Sequence, residues 1–171
     1  MKLRFLSYGA WAILALAGCS TTAQAPAGTT LTSQDLDDLT VGYQLVQFDL
    51  LECGSLQGVM QTPAVSAVTQ KLCADAARYQ PVLAQLAQAH DVTLPNDMPA
   101  NMKARYVAFH YAPNATQFLR DQVSSHEDAL AVFQGEASSG STPDIRTVAA
   151  GALPVVQGNL DALRQALGSA E

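Results

Sequence analysis

The chain has 171 residues, of which 49% are hydrophobic, and its 9 basic and 15 acidic residues give a formal net charge of −6. This length is enough for one domain with a sizeable core. An acidic surface repels the phosphates of nucleic acids, so the composition argues against nucleic acid as a partner.

The first 18 residues have the pattern of an export signal. Lys2 and Arg4 form a short basic start, and the apolar stretch FLSYGAWAILALAG follows them. That stretch is short for a membrane span but is placed like the core of a signal peptide. We therefore predict a signal peptide over residues 1–18. The rest of the chain then has 7 basic and 15 acidic residues and a net charge of −8.

Cys19 is the predicted site of lipidation. Small residues precede it in the sequence LAG at 16–18, and this matches the bacterial lipobox, in which the cysteine becomes the acylated N-terminus. Two or more acyl chains anchor a protein stably to a membrane. An aspartate directly after the lipidated cysteine would favour retention in the inner membrane, and Ser20 occupies that position instead. The predicted location is therefore the outer membrane, facing the periplasm. Plain secretion, with cleavage after the Ala-Gln-Ala sequence at 23–25, is the alternative.

A flexible tether is predicted over residues 19–34, because small polar residues with proline and glycine show no periodicity there. The helical domain is predicted over residues 35–169. Apolar residues at helical spacing predict a long first helix, which Thr32 or Ser33 caps. Its predicted apolar face consists of Leu36, Leu39, Tyr43, Val46, Leu50, Cys53 and Met60.

Three further helical regions follow, and no strand-like alternation competes with them. The predicted helix starts are Thr62-Pro63, Pro99, Asn114 (where the third region resumes after YAPNAT) and Thr142-Pro143. A Thr before a Pro is favourable because Thr caps the helix and Pro suits its first turn. Pro81 is expected to kink the second helix. The predicted fold is all-α, an antiparallel bundle of four helices.

Cys53 and Cys73 are the candidate disulfide. If the first two helices fold back near residue 62, the two cysteines lie about nine and ten residues from the turn, hence level at about 1.5 Å per residue. Thiols outside the cytoplasm tend to pair. Two buried free thiols are the alternative. A zinc or copper pair is disfavoured because no histidine lies at ligand spacing from either cysteine.

Most of the domain resembles a known bacterial envelope family, domain of unknown function 4142. The segments that carry the resemblance are TPAVSAVTQKLCADAARYQPVLAQLAQAHDVTLP, FLRDQVSSHEDALAVFQGEA and AAGALPVVQGNLDAL, in this order and spacing. The resemblance extends from about Asp35 to Leu167. It implies a ferritin-like four-helix bundle in a protein that is secreted or lipidated.

The resemblance also implies an inward-facing polar or metal site, and most of its groups are changed here. The family pattern has an acid in the first helix, Asp-His pairs in the second and third, and a histidine after the Leu-Pro of the last. The corresponding residues are Asp49, Asp75-Ala76, Ser125-His126, and Gly158 and Asn159. Of three expected histidines, only His126 remains.

Di-iron sites in helical bundles also use Glu-x-x-His motifs, and the sequence has none. The residues three positions before His90, His110 and His126 are Ala87, Val107 and Val123. We therefore predict no cofactor and no catalytic residues, with His126 as a core histidine bonded to a polar neighbour. A metal site of Asp49, Asp75 and His126 is the alternative.

These observations favour a periplasm-facing lipoprotein with a non-enzymatic envelope or interaction role. Its expected partners are the membrane, through lipidated Cys19, and another envelope protein. Two other functions stay open: a ferritin-like metal-binding protein or oxidase with a reduced ligand set, and a carrier of a small apolar ligand in a bundle cavity.

Overall fold

The computed structural model describes residues 30–56 and 62–170, and every regular element in these two ranges is an α-helix. The helices are α1 (Ser33–Ser55), α2 (Pro63–Ala89), α3 (Ala100–Tyr111), α4 (Ala115–Ser139) and α5 (Pro143–Gly168). The all-α class is therefore confirmed. The predicted signal peptide, Cys19 and most of the predicted tether lie outside the described residues.

The helices begin where local capping chemistry predicts. The N-cap residues Thr32, Thr62, Asn114 and Thr142 each accept a hydrogen bond from the backbone N–H three residues later. Pro63 and Pro143 occupy first-turn positions, where a missing N–H leaves no helical hydrogen bond unmade. Pro81 and Pro154 lie inside continuous helices, so neither proline ends its helix.

The described ranges contain five helices rather than the four predicted. The predicted third region is two helices, because the chain leaves helical geometry between Tyr111 and Ala115. Pro113 disfavours helix in the residue before it, and Asn114 caps the new helix. The first helix also ends earlier than predicted, at Ser55, and Met60 lies outside the described residues.

The four long helices enclose two clusters of buried apolar residues. α1 contacts α2 and α4, and α5 contacts the same two helices. The short helix α3 packs mainly on α1 and more weakly on α4. Most of the completely buried residues are aromatic or aliphatic, as expected where apolar burial drives folding; they include Phe48, Phe118, Leu119 and Leu163.

The buried face of α1 agrees only in part with the predicted one, since Leu39 and Val46 are buried as predicted. Leu36, predicted to be buried, is 37% exposed, whereas Phe48 and Glu52 are both fully buried. Apolar residues occur on more than one side of this helix, so periodicity alone cannot choose the buried side. The same ambiguity affects α3, where Val107 is exposed.

A disulfide between Cys53 and Cys73 joins α1 to α2. Their Cα atoms are 5.9 Å apart, and 20 residues separate them along the chain. The structure thus contains the disulfide that the helix-hairpin geometry favours.

Candidate functional site

A cavity of about 40 Å³ lies among α1, α2, α4 and α5. This volume accommodates one or two water molecules. Its polar lining residues are Asp49, Asp75, Tyr79, Ser125, His126 and Asn159. The structure therefore brings the three candidate metal ligands, Asp49, Asp75 and His126, to one cavity.

The cavity also collects the positions that the family resemblance marks as polar. Besides the three candidate ligands, Ala76, Ser125 and Asn159 line it. These positions lie on four helices, α1, α2, α4 and α5. The chemistry differs because alanine offers no donor or acceptor at Ala76, and Asn159 offers an amide in place of an imidazole.

Asp75 lies at the rim of this cavity and is already paired. One carboxylate oxygen is 2.9 Å from Lys71 Nζ and the other is 3.2 Å from Arg78 Nη2. Lys71 also donates to Asn159 Oδ1, which ties α2 to α5. Asp75 therefore serves a local ion-pair network on α2.

His126 is buried and its tautomer is set by the backbone. Its Nδ1 lies 3.0 Å from Gln122 O. A carbonyl oxygen only accepts hydrogen bonds, so Nδ1 carries the proton. When the ring is neutral, Nε2 holds the lone pair and is the basic atom. This arrangement matches the predicted core histidine bonded to a polar neighbour.

Asp49 brings a buried carboxyl group close to His126. Burial raises the pKa of Asp49, and His126, Gln122 and Arg105 partly offset this effect. Its Oδ1 is buried and has no hydrogen-bond partner among the residues described. A buried acceptor without a donor is costly, so this oxygen calls for a proton or a water molecule.

Sequence reasoning missed a polar pair beside Asp49. Gln122 Nε2 donates to Glu52 Oε2 at 2.9 Å, and both side chains are almost completely buried. Within the described ranges, the Oε1 atoms of Glu52 and Gln122 are unpaired. Burial raises the pKa of Glu52 to about 8, despite the hydrogen bond from Gln122. Glu52 is therefore mainly protonated at neutral pH and can donate to a neighbouring unpaired oxygen.

Arg105 of α3 covers one side of this polar core, which we define as Asp49, Glu52, Gln122, Ser125 and His126. Its Nη2 donates to Asp121 O at 2.7 Å and contacts Ser125 Oγ at 3.4 Å. The guanidinium lies 5.0 Å from the centre of the Phe48 ring, a cation–π distance. The short helix α3 thus contributes a positive charge to the two buried acids.

A signal for Glu52 is present in the sequence. Phe48 and Leu56 lie four residues before and after it, and residues four apart share one face of a helix. An acid between two large apolar residues on that face is a candidate for burial. The apolar face predicted for α1 does not include Phe48, Glu52 or Leu56, so burial of Glu52 was not predicted.

The candidate ligands do not fit a metal centre. Across residues 30–56 and 62–170, no group of three or more His, Cys, Asp or Glu side chains is arranged to hold a metal ion. One physical reason is that Asp75 is already paired with Lys71 and Arg78. The same two ranges contain no helix with the length and apolarity needed to cross a membrane.

Comparisons with known proteins agree with this helical architecture. The crystal structure of a DUF305 fragment from Deinococcus radiodurans is similar, with a TM-score of 0.71 and 13% sequence identity, over 82% of this chain and 99% of that chain. At this identity the likeness shows the fold alone. No curated protein matches the chain. A family described as domain of unknown function (DUF4142) matches residues 20–166, so the chain belongs to that family.

Proposed function

We propose that the protein is a periplasm-facing bacterial lipoprotein with a non-enzymatic envelope or interaction role. Its domain stands on a tether that runs from Cys19 to the start of α1 at Ser33. Acylated Cys19 anchors the protein, since acyl chains alone hold a protein at a membrane. The observation that carries the proposal is the disulfide between α1 and α2.

The disulfide supports an exported protein because such bonds persist in oxidising compartments and are rare in the cytosol. The bacterial periplasm is such a compartment. The cysteine that follows LAG at 16–18 supplies an anchor in the same location. Both features agree although they lie in different parts of the chain.

The contents of the core support a non-enzymatic role. Asp75 is neutralised by Lys71 and Arg78, and Ala76 and Asn159 occupy positions where the family pattern has histidines. The described helices thus have the arrangement expected around a polar site, but with fewer reactive side chains than the family pattern. We propose that this frame is a ferritin-like bundle of α1, α2, α4 and α5, to which α3 adds Arg105.

A carrier of apolar ligands receives less support. The cavity beside His126 measures about 40 Å³. An engineered apolar cavity that admits benzene is larger, about 150 Å³. In this conformation the cavity suits water better than an apolar molecule.

Replacing Cys19 by alanine is expected to abolish acylation. Wild-type protein expressed in bacteria should incorporate labelled palmitate and fractionate with membranes, whereas Cys19→Ala should lose essentially all label. Without the acyl chains, the variant should be recovered mainly as soluble periplasmic protein. Label incorporation and cell fractionation measure the two effects.

Cys53→Ala is the matched control, since it also removes a cysteine but leaves the predicted lipobox intact. It should be labelled as wild type. Intact-protein mass then identifies the N-terminus: an acylated Cys19 supports the proposal. An unlabelled wild-type protein that begins at Pro26 would instead establish plain secretion.

A further inference from the structure

The short helix α3 is attached to the domain more lightly than the four long helices. Of its 12 residues, Met102 and Phe109 are buried, whereas each long helix buries seven or eight residues. Among the described residues, no side chain caps its first turn, which follows Pro99. Non-helical residues flank it at 90–99 and at 112–114. Segments with few buried apolar groups open locally at a lower free energy than the rest of a fold.

The inner face of α3 lies over the part of α1 that contains Glu52. Arg105 and Phe109 are four residues apart and share this face of α3. The Arg105 guanidinium lies 5.0 Å from the centre of the Phe48 ring, and Phe109 belongs to the same buried cluster as Leu56. Glu52 lies midway between Phe48 and Leu56 on one face of α1. The helix α3 therefore covers Glu52, which is fully buried.

Polar contacts hold α3 in this position. Arg105 Nη2 donates to Asp121 O at 2.7 Å and lies 3.3 Å from the Asp121 carboxylate. Gln44 Nε2 donates to Asp97 O at 3.2 Å and fixes the loop that leads into α3. The Arg105 side chain is 28% exposed, and ion pairs that water can reach contribute little to stability. A few weak interactions and two buried side chains thus keep α3 closed.

We propose that α3 is a cover that opens while the four long helices stay packed, and that its opening is coupled to release of the proton of Glu52. In the closed form, α3 keeps water from the Glu52 carboxyl group. In the open form, water solvates the carboxylate and takes up the proton, and Arg105 moves away with α3. Rising pH therefore favours the open form, which exposes Phe48 and Leu56 of α1.

The sign of this coupling follows from the surroundings of Glu52. Burial raises its pKa to about 8; Gln122 and Arg105 favour the ionised form, and Asp121 and Asp49 oppose it. The pKa is raised although Arg105 is present, because burial is the largest cause. A solvated glutamate ionises near 4.5. The opening equilibrium should therefore rise about tenfold for each pH unit between pH 5 and pH 7.

The other charged groups nearby do not reverse this sign. Burial raises the pKa of Asp49, and His126 partly offsets that effect. Asp49 lines the cavity of about 40 Å³, whose described lining comes from the four long helices, so it stays covered when α3 opens. On α2, Asp75 is paired with two basic residues, and the α5 residues that line the cavity are uncharged. Glu52 is therefore the acid that opening exposes to water.

Amide hydrogen exchange of the full-length protein, purified in a nonionic detergent and followed by mass spectrometry, tests the proposal. At pH 7 the amides of α3 should exchange at least about tenfold faster than those of residues 155–166 in α5, which open with the whole domain. Between pH 5 and pH 7 the α3 rates should rise about tenfold per pH unit more than those of an unfolded peptide of the same sequence. Glu52→Gln should abolish this additional rise, whereas Asp128→Asn, an acid-to-amide change on an exposed part of α4, should preserve it.

Further variants keep the test decisive. Glu52→Met, which also cannot ionise, replaces Glu52→Gln if circular dichroism shows that the amide variant is unfolded. Arg105→Gln removes the contact with Asp121 and should speed α3 exchange at every pH, whereas Arg78→Gln, which removes an exposed ion pair on α2, should not.

Three results would overturn the proposal. Equal exchange rates for α3 and α5 at pH 7 would show that α3 opens only with the whole domain. An additional pH dependence that persists in the variants that cannot ionise at Glu52 would separate opening from that proton. Wild-type exchange of α3 in Arg105→Gln would show that Arg105 does not hold α3 closed.

Discussion

Replacing Cys53 and Cys73 together by serine is expected to lower the free energy of unfolding by about 3 kcal/mol. The disulfide closes a loop of 20 residues, and a crosslink of that span removes conformational freedom from the unfolded chain to roughly this extent. Both cysteines are only partly buried, so the serine hydroxyls add little further cost. Urea unfolding of the chain from Ser20 onward, followed by circular dichroism, measures the change.

Reduction provides an independent check on the same quantity. Adding a thiol reductant should destabilise the wild-type protein by about as much as the double serine change, since both remove one crosslink. The double variant should not respond to reductant, because it has no bond to lose. Equal urea midpoints for oxidised wild type and the variant would contradict the prediction, as would two free thiols in the unreduced protein.

Helix starts were predictable because their causes are local. Thr62 caps α2 through a bond to the N–H of Val65, and Thr142 caps α5 in the same way. These interactions span three residues, so the sequence contains the whole motif. The same holds for the break before Asn114, where Pro113 acts on its immediate neighbour.

The polar core was not predictable in this way, because its partners are distant in sequence. Glu52 and Gln122 are 70 residues apart in the sequence. Which acid is buried depends on which side of α1 meets α4, and the helical period leaves neighbouring sides nearly equivalent. Asp49 and His126 were found through the family resemblance, whereas Arg105 required the packing of α3.

Burial of Glu52 is expected to make the protein less stable as pH rises. Its pKa is raised by burial to about 8, whereas an unfolded glutamate ionises near 4.5. Between these values the folded state holds the proton and the unfolded state releases it, so the contribution of Glu52 to stability is greatest below about pH 4.5 and falls until about pH 8. Full titration should cost roughly 3–5 kcal/mol, at about 1.4 kcal/mol per pH unit.

Glu52→Gln isolates this effect, because an amide resembles the protonated acid and does not titrate. At pH 5 its free energy of unfolding should lie within about 1 kcal/mol of wild type, and at pH 9 it should exceed wild type by several kcal/mol. The Glu52→Gln variant should still lose some stability as pH rises, since Glu136 also has a raised pKa and acts in the same direction. Asp128→Asn, on the exposed side of α4, should follow the wild-type profile in urea unfolding at pH 5, 7 and 9. Parallel stability–pH profiles for Glu52→Gln and wild type would contradict the prediction and show that Glu52 ionises normally. The contact with Gln122 would then join a charged carboxylate to an amide, and water would have to reach the unpaired oxygen of Glu52.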